Sequence, residues 1–249
     1  MTKQAVYPSL QSKRALITGG GSGIGAGLVR AFARQGAEVH YLDIADAESR
    51  ALQESLKDSA VPPRFHHCDL TDLDALKAAL GAIGPLDVLV NNAANDDRHS
   101  LESVTPAYWD ERMAVNLRHL LFCTQAAVPG MRSRGGGAII NFGSISWHLG
   151  MSNLVLYETA KAGIEGMTRA LARELGVHGI RVCCVVPGNV RTPRQQKWYP
   201  GNGGDDLVAQ QCLKERLEPE HVAGLVLFLA SDDGRMCTGH EYWIDAGWR

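Results

Sequence analysis

Short apolar runs alternate along this chain with longer segments whose apolar residues recur at helical spacing. The short runs predict strands over residues 14–18, 38–43, 64–68, 86–90, 137–142, 181–186 and 241–245. The longer segments predict helices over residues 24–34, 47–57 and 73–80, within 106–131, and over 154–175 and 219–229. Strands that are apolar throughout and separated by helices are typical of a parallel sheet covered on both faces, because parallel strands need long crossovers.

The order of these elements narrows the fold class. Crossovers between parallel strands are almost always right-handed, which leaves a doubly wound, Rossmann-type α/β sheet of about seven strands as the predicted architecture. A length of 249 residues and a hydrophobic content of 45% suit one domain with a sizeable core. We therefore assign residues 1–249 to a single domain with helices on both faces of its sheet.

Charge and composition exclude several function classes. The formal net charge of −2 gives no strong field to attract a polyanion, so nucleic acid is not expected as a partner. The first residues lack the apolar core of a signal peptide, and the longest apolar run, 222–230, is too short to span a bilayer. We expect a cytoplasmic protein that does not bind membranes. The cysteines and histidines show no metal-ligand spacing, so no metal site is expected.

One segment, 189–206, has no clear periodicity and is rich in Pro, Gly, Gln and Asn. Irregular segments of this length in a compact domain are usually functional lids or disordered. We predict that residues 189–206 form a loop that closes over the substrate.

A glycine-rich turn, Thr-Gly-Gly-Gly-Ser-Gly-Ile-Gly over residues 18–25, follows the first strand and opens the first helix. In this setting glycines allow a tight turn and let a pyrophosphate reach the helix N-terminus. A flexible loop is the alternative interpretation, but the strand–turn–helix context favours dinucleotide binding. The predicted cofactor contacts in this turn are Gly19, Ser22, Gly23, Ile24 and Gly25.

Asp43 closes the second strand, where an acidic residue accepts the hydroxyls of an adenosine ribose. A carboxylate there repels the 2′-phosphate of NADP, and the following Ile44 offers no positive charge. The sequence therefore favours NAD. The alternative is that Asp43 only caps the following helix.

Tyr157 and Lys161 lie four residues apart in a predicted helix and are therefore neighbours on one face. An adjacent cation stabilises a phenolate and lowers the tyrosine pKa toward the range of a general base. Ser144 follows the fifth strand, at the edge where open α/β sheets bind ligands, and its hydroxyl can hold a substrate oxygen. A solvated helix face with chance spacing is the alternative for the Tyr–Lys pair alone.

With these motifs in order, the chain resembles the short-chain dehydrogenase/reductase family along nearly its whole length. The resemblance rests on the glycine turn, Asp69, the Asn-Asn-Ala-Ala segment 91–94, Asn116, Ser144, the Tyr157–Lys161 pair and the Pro-Gly segment 187–188. It implies a catalytic set of Asn116, Ser144, Tyr157 and Lys161, with Asn116 holding a water that links Lys161 to solvent. It also implies a homotetramer built through the helices that contain Asn116 and Tyr157 and through the C-terminal strand.

The resemblance also extends the predicted cofactor site. It assigns Asp69 and Leu70 to the adenine edge and Asn91 to the floor beside the cofactor. Lys161 is implied to bind the nicotinamide ribose beside Tyr157. Val190 and Thr192 are implied to bind the nicotinamide carboxamide. The Pro187–Gly188 segment that precedes them is also implied to contact the cofactor.

Further segments, 95–99, 144–150, 189, 196–199 and 242–249, resemble the bacterial NAD-dependent enzymes of this family that oxidise D-xylose. The loops above the nicotinamide would carry polar and aromatic side chains, as a sugar needs, rather than the apolar wall of a sterol site. The predicted substrate contacts are Asn95, Ser144, Ser146, His148, Tyr157, Asn189 and Trp198.

The resemblance implies that Tyr157 takes the proton of the anomeric hydroxyl while a hydride passes to NAD, giving an aldonolactone. Two alternatives stay open. One is a broader aldose, polyol or secondary-alcohol dehydrogenase. The other is an NAD-sensing regulator that keeps the fold without turnover, although such a protein would be expected to lack the base.

Overall fold

All seven apolar runs become strands of one parallel sheet in the computed structural model, which describes residues 5–199 and 204–248. The strands are β1 (Arg14–Thr18), β2 (Glu38–Asp43), β3 (Arg64–His67), β4 (Val88–Asn91), β5 (Gly137–Phe142), β6 (Ile180–Pro187) and β7 (Glu241–Ile244). Their order across the sheet is β3-β2-β1-β4-β5-β6-β7, and each neighbouring pair is parallel. The predicted single-domain, doubly wound sheet is confirmed.

Helices cover both faces of this sheet. They are α1 (Gly23–Arg34), α2 (Asp46–Ser55), α3 (Leu73–Ile83), α4 (Pro106–Met113), α5 (His119–Ser133), α6 (Ile145–Leu149), α7 (Val155–Leu175), α8 (Pro193–Trp198), α9 (Asp205–Gln210) and α10 (Pro219–Ala230). Because successive strand residues face opposite sides, Ile17 packs in the core under α1 and α10, whereas Leu16 packs in the core under α3, α5 and α7.

The long helix expected within 106–131 is interrupted. Residues Ala114–Arg118, between α4 and α5, form a π-helical turn that contains Asn116. One residue inserted into a helix hardly changes the apolar periodicity, so this turn could not be predicted from the pattern. Such π-bulges occur frequently at functional sites.

The segment 189–206 is not irregular throughout, and the expectation of a loop is wrong for Pro193–Trp198, which forms α8. The Thr192 hydroxyl accepts a hydrogen bond of 3.2 Å from the backbone N–H of Gln195, and Pro193 occupies the first helical turn. A threonine cap followed by proline is a helix-start signal, which the pairing of Thr192 with Pro193 offered in the sequence. Residues 200–203 lie outside the described residues.

The chain changes direction across the sheet between β1 and β4, which are neighbours. Ligands of doubly wound proteins bind in the crevice beyond the carboxyl ends of the strands at such a switch point. Gly19 follows β1, Asn92 follows β4 and Ser144 lies two residues beyond β5. The fold therefore brings the sequence motifs to one edge.

Across 5–199 and 204–248, each helix is too short or too polar to cross a bilayer. Within the same ranges, no group of three or more His, Cys, Asp or Glu side chains is placed to hold a metal ion.

Candidate active site

The glycine turn after β1 folds tightly onto the start of α1. Gly19 has a φ of 65°, in the left-handed region, and a Cβ on it would lie 2.8 Å from the Cα of Ala93. A Cβ on Gly25 would lie 1.9 Å from the carbonyl oxygen of Gly19. Side chains at these positions would therefore disrupt the turn. A turn this compact lets a pyrophosphate approach the backbone at the helix N-terminus, so it fits a dinucleotide.

Asn92 braces the turn from the neighbouring strand. Its amide Nδ2 donates hydrogen bonds of 3.0 Å to the carbonyl oxygens of Thr18 and Gly19, and its backbone N–H donates to the Thr18 hydroxyl at 3.1 Å. The sequence analysis assigned a role to Asn91 but none to Asn92. The adjacent pair of asparagines at the end of β4 was the feature that could have indicated this role.

Asp43, at the end of β2, accepts hydrogen bonds from two backbone turns at the edge of the crevice. Its Oδ2 accepts a hydrogen bond of 2.8 Å from the backbone N–H of Gly21, and its Oδ1 accepts one of 2.9 Å from Ala45. The carboxylate thus supports the glycine turn and the turn before α2. Since carboxylate oxygens each accept more than one hydrogen bond, these contacts leave acceptor capacity for a ribose hydroxyl.

Asp69 and Leu70, predicted at the adenine edge, follow β3 at the same edge of the sheet, whereas the side chain of Asn91, predicted beside the cofactor, is buried. Asp69 accepts hydrogen bonds of 2.8 Å from the backbone N–H and hydroxyl of Thr71, next to the buried Leu70. Asn91 is 1% exposed, and its Nδ2 donates to Oδ1 of Asn141 at 2.9 Å. The Asn91 side chain therefore joins β4 to β5 inside the protein, and a contact with a cofactor would rest on its backbone.

The segment after β6 forms the opposite wall of the crevice. The backbone N–H of Gly188, directly after Pro187, donates to the carbonyl of Ile244 at 2.9 Å. Val190 forms a parallel bridge with Leu217. The Thr192 methyl group would lie 3.2 Å from a Cβ on Gly23. The fold thus brings the Thr192 segment, predicted to contact the carboxamide, against the glycine turn.

Tyr157 and Lys161 occupy successive turns of α7, as their spacing predicts. The Lys161 ammonium lies 5.4 Å from the centre of the Tyr157 ring and donates a hydrogen bond of 2.7 Å to the carbonyl of Phe142. Ser144 begins α6, hydrogen-bonds to Tyr157, and lies 2.9 Å from the Ser146 hydroxyl, oxygen to oxygen. The three polar groups therefore meet at the carboxyl end of β5.

The electrostatic state of this group differs from the expectation. Burial of its hydroxyl and the negative charge of Asp96 raise the pKa of Tyr157, and the hydrogen bond from Ser144 and the guanidinium groups of Arg194 and Arg98 only partly oppose this. Burial lowers the pKa of Lys161 to about 8. The tyrosine pKa is therefore raised and not lowered as expected, because desolvation of the phenolate dominates.

Asn116 lies in the π-helical turn and is fully buried. Its Oδ1 accepts a hydrogen bond of 2.7 Å from the backbone N–H of Asn95, and its Nδ2 donates to the Asn95 carbonyl at 3.0 Å. Both described hydrogen bonds of this amide hold the loop after β4. A water bound by Asn116, as the family resemblance implies, would most simply use its main-chain carbonyl.

His119, one helical turn after Asn116, was not singled out from the sequence. Its ring is fully buried near the carbonyls of Ala114 and Val115, but neither ring nitrogen has a hydrogen bond of good geometry within the described residues. Burial and then the charge of Lys161 lower the pKa of His119 to about 3. The imidazole is therefore neutral near pH 7.

Polar side chains from three segments form the wall beside Tyr157. Asn189 donates from Nδ2 to Oε1 of Gln195 at 3.2 Å, and Gln195 donates from Nε2 to Oδ2 of Asp96 at 3.1 Å. Trp198, at the end of α8, is 38% exposed and lies 5.6 Å from the Arg98 guanidinium. The wall therefore includes Asp96, which lies in the segment 95–99 expected above the nicotinamide, and Gln195, which was not singled out from the sequence.

The remaining predicted wall residues differ in what their side chains contact. Ser146 is 5% exposed and bonds to Ser144, and Asn95 uses its Oδ1 to accept from the backbone N–H of Asp97 at 3.0 Å. His148, in contrast, lies 3.0 Å (Nε2 to Oε1) from Glu165 and contacts the tilted rings of Trp147 and Trp243 at centroid distances of 3.7 and 4.3 Å. The described contacts of His148 are therefore with a buried carboxylate and two indole rings, and its contact with a sugar stays a prediction that these contacts do not support.

Comparisons with known proteins agree with this geometry. The sequence profile of a family described as Enoyl-(Acyl carrier protein) reductase matches residues 19–249. A D-xylose 1-dehydrogenase of Caulobacter vibrioides (strain NA1000 / CB15N) is 71% identical over 245 residues, covering 98% of this chain and 99% of the relative. The "Probable galactose dehydrogenase GalD" of Rhizobium meliloti (strain 1021) is 46% identical, covering 97% of this chain and 96% of the relative.

Solved structures give the same result. A short chain dehydrogenase/reductase family protein is similar with a TM-score of 0.87 and 33% identity, covering 96% of this chain and 98% of that one. A blue fluorescent protein from a metagenomic library, in complex with NADPH, has a TM-score of 0.89 and 35% identity, covering 96% and 99% of the two chains. On its fold, its motifs and these similarities, the chain belongs to the short-chain dehydrogenase/reductase family.

Proposed function

We propose that the protein oxidises D-xylose at its anomeric carbon to D-xylonolactone, with NAD as the acceptor. The observation that carries the proposal is the polar wall of Asp96, Asn189 and Gln195 beside Tyr157. An aldose presents a hydrogen-bonding group on each of its carbons and can pair with such a wall, whereas an apolar substrate would leave Oδ1 of Asp96 without a donor. The 71% identity to a D-xylose 1-dehydrogenase supports the same substrate.

In the proposed reaction, Ser144 holds the oxygen of the anomeric hydroxyl and Tyr157 accepts its proton. A nicotinamide cofactor bound in the crevice supplies the two-electron acceptor and, when oxidised, a positive charge. The raised pKa of Tyr157 means that the phenolate must be stabilised before it can act as a base. The ammonium of Lys161, buried 5.4 Å from the ring centre, acts in this direction and would also bind ribose hydroxyls.

NAD rather than NADP is proposed because Asp43 places a carboxylate at the end of β2 beside the glycine turn. The next residue, Ile44, is 65% exposed and carries no charge that could bind a 2′-phosphate. The adenine side would be completed by Asp69 and Leu70. The cytoplasm is the proposed compartment, since it supplies the dinucleotide that the reaction consumes.

We propose a homotetramer, as in the family that the chain resembles. The helices implied as interfaces carry exposed apolar side chains, among them Trp109 on α4 at 44%, Leu121 on α5 at 43% and Val155 on α7 at 46%. Burying such groups against another subunit is favourable. Light scattering after size-exclusion chromatography tests this, and a monomer mass at micromolar concentration would refute it.

The 46% identity to a relative named as a galactose dehydrogenase supports one alternative, a broader aldose dehydrogenase. The test is the absorbance of NADH when purified protein is mixed with NAD and D-xylose, L-arabinose, D-galactose, D-glucose or cyclohexanol. We expect the highest kcat/KM for D-xylose. Equal efficiency on several aldoses would favour the broader enzyme, and oxidation of cyclohexanol alone would refute the sugar site. No turnover of any alcohol, with NAD still bound, would favour a sensor.

A further inference from the structure

Asp96, in the loop after β4, is close enough to Tyr157 and Lys161 for its charge to shift the pKa of both groups. Its side chain is 14% exposed. Its Oδ2 accepts a hydrogen bond from Gln195, whereas its Oδ1 is buried without a hydrogen-bond donor among the described residues. The guanidinium of Arg194 forms an ion pair with Oδ1, with its Nε 3.5 Å away. A buried carboxylate oxygen without a donor is costly unless a ligand supplies one.

The charge of Asp96 acts on both groups: it raises the pKa of Lys161 and so favours the ammonium, but it opposes ionisation of the Tyr157 phenol. It raises the pKa of Tyr157, next after burial, and therefore disfavours the phenolate that the reaction needs. The guanidinium groups of Arg194 and Arg98 and the hydrogen bond from Ser144 counter it only in part. Contact with the substrate would give this carboxylate a function that offsets its unfavourable effect on the Tyr157 phenolate.

A chain of hydrogen bonds holds this carboxylate in place. Arg216 donates from Nη2 to Oδ1 of Asn189 at 2.9 Å, Asn189 donates to Gln195, and Gln195 donates to Oδ2 of Asp96. The chain joins the segment after β6, α8 and the loop after β4. Each member positions the next, so Oδ2 already accepts from Gln195 and Oδ1 is the oxygen that has no hydrogen-bond donor among the described residues.

We propose that Asp96 is a substrate-binding and specificity-determining residue whose Oδ1 accepts a hydroxyl of the aldose other than the anomeric one. This inference rests on the proposed function, since it requires a substrate with several hydroxyl groups. A hydroxyl donor satisfies the buried oxygen, and a hydrogen bond to a charged acceptor is roughly twice as strong as one to a neutral group. An alcohol with no second hydroxyl leaves the oxygen unpaired and is rejected.

The test compares Asp96→Asn with a matched control, Asp97→Asn. Asp97 is the neighbouring carboxylate, 49% exposed, and it pairs with Arg112 and Arg194. For Asp96→Asn we expect kcat/KM on D-xylose to fall about tenfold to a hundredfold, mostly through KM, since a hydrogen bond to a charged group is lost. We also expect the acid limb of the kcat profile to move to lower pH, because a negative charge near Tyr157 is removed. Asp97→Asn should change kcat/KM less than about twofold.

Deoxy sugars separate contact from structure. Wild type and Asp96→Asn are compared on D-xylose and on 2-, 3- and 4-deoxy-D-xylose. If Asp96 binds one hydroxyl, the loss caused by Asp96→Asn disappears on the sugar that lacks this hydroxyl. An equal loss on all four sugars, with or without a lower melting temperature, would overturn the proposal, as would an unchanged KM for D-xylose. Failure of wild type to oxidise D-xylose would instead refute the proposed function itself.

Discussion

Tyr157 is the proposed general base, and its phenolic oxygen is the atom that accepts the proton. Removing this oxygen therefore tests the assignment. Tyr157→Phe should keep NAD binding and lower kcat by about 10²–10⁴-fold, the usual contribution of a general base. Fluorescence titration with NAD and steady-state rates on D-xylose measure the two effects. A variant that kept more than a tenth of the wild-type rate would show that another group takes the proton.

The same residue sets a pH dependence. The pKa of Tyr157 lies above its ordinary value, so little of the phenol is ionised near pH 7. The phenolate fraction increases with pH, and the rate of sugar oxidation should increase with it. Wild-type kcat should therefore rise through the mildly alkaline range, with chemistry shown to be rate-limiting by a deuterium effect at C1. A flat profile under these conditions would contradict the assignment of the base.

Asp43 permits a test of cofactor choice. Replacing Asp43 by Ser and Ile44 by Arg removes a repelling carboxylate and supplies a guanidinium, so the ratio of kcat/KM for NADP to that for NAD should rise at least tenfold. Asp43→Ser alone is the control for the lost hydrogen bonds to Gly21 and Ala45. Equal use of both cofactors by wild type would mean that Asp43 only braces the two turns.

At the scale of elements, α6 is held to α7 by a small buried cluster. Glu165 Oε1 accepts a hydrogen bond of 2.8 Å from Trp147 Nε1 and lies 3.0 Å from His148 Nε2. Since this cluster anchors the helix that Ser144 begins, we expect His148→Ala to lower the free energy of unfolding by about 1–3 kcal/mol. It should change kcat/KM for every aldose by the same factor.

Leu149→Ala, at the neighbouring position that is 39% exposed, is the matched control and should leave stability nearly unchanged. Chemical denaturation and rates on D-xylose, L-arabinose and D-glucose measure both effects. An altered sugar preference in His148→Ala with unchanged stability would place His148 in the substrate wall.

At the scale of the whole molecule, buried His119 ties stability to pH. Its pKa is about 3 in the folded protein and near 6.5 when unfolded, so the unfolded state binds the extra proton between these values. Stability is complete above pH 6.5 and decreases as pH falls toward 3, by up to roughly 1.4 kcal/mol per pH unit from this residue.

His119→Leu should therefore lose less stability than wild type when pH falls from 7 to 4, and should be near-neutral at pH 7 because an unpaired buried polar group is replaced by an apolar one. His240→Gln, at an exposed position, is the control. Urea denaturation at several pH values measures the difference. If the free energy of unfolding fell by the same amount with pH in wild type and His119→Leu, protonation of His119 would not destabilise the folded protein.

Local spacing in the sequence determined much of this protein. Alternating apolar runs fixed the strands and their parallel sheet, since a crossover helix between strands allows few topologies. The glycine turn, Asp43 and the Tyr157–Lys161 pair could be read directly, because each depends on residues close together in the chain. The confirmed fold and family follow from these local signals.

Only the tertiary structure decided which side chains face the reacting groups. Asp96 meets Gln195 across 99 positions of sequence, and His148 turns to Glu165 on another helix, so neither orientation is encoded in local periodicity. The direction of the pKa shift of Tyr157 likewise depends on burial and on charges from distant loops. Electrostatics and burial sum over the whole folded molecule, whereas sequence patterns report neighbours along the chain.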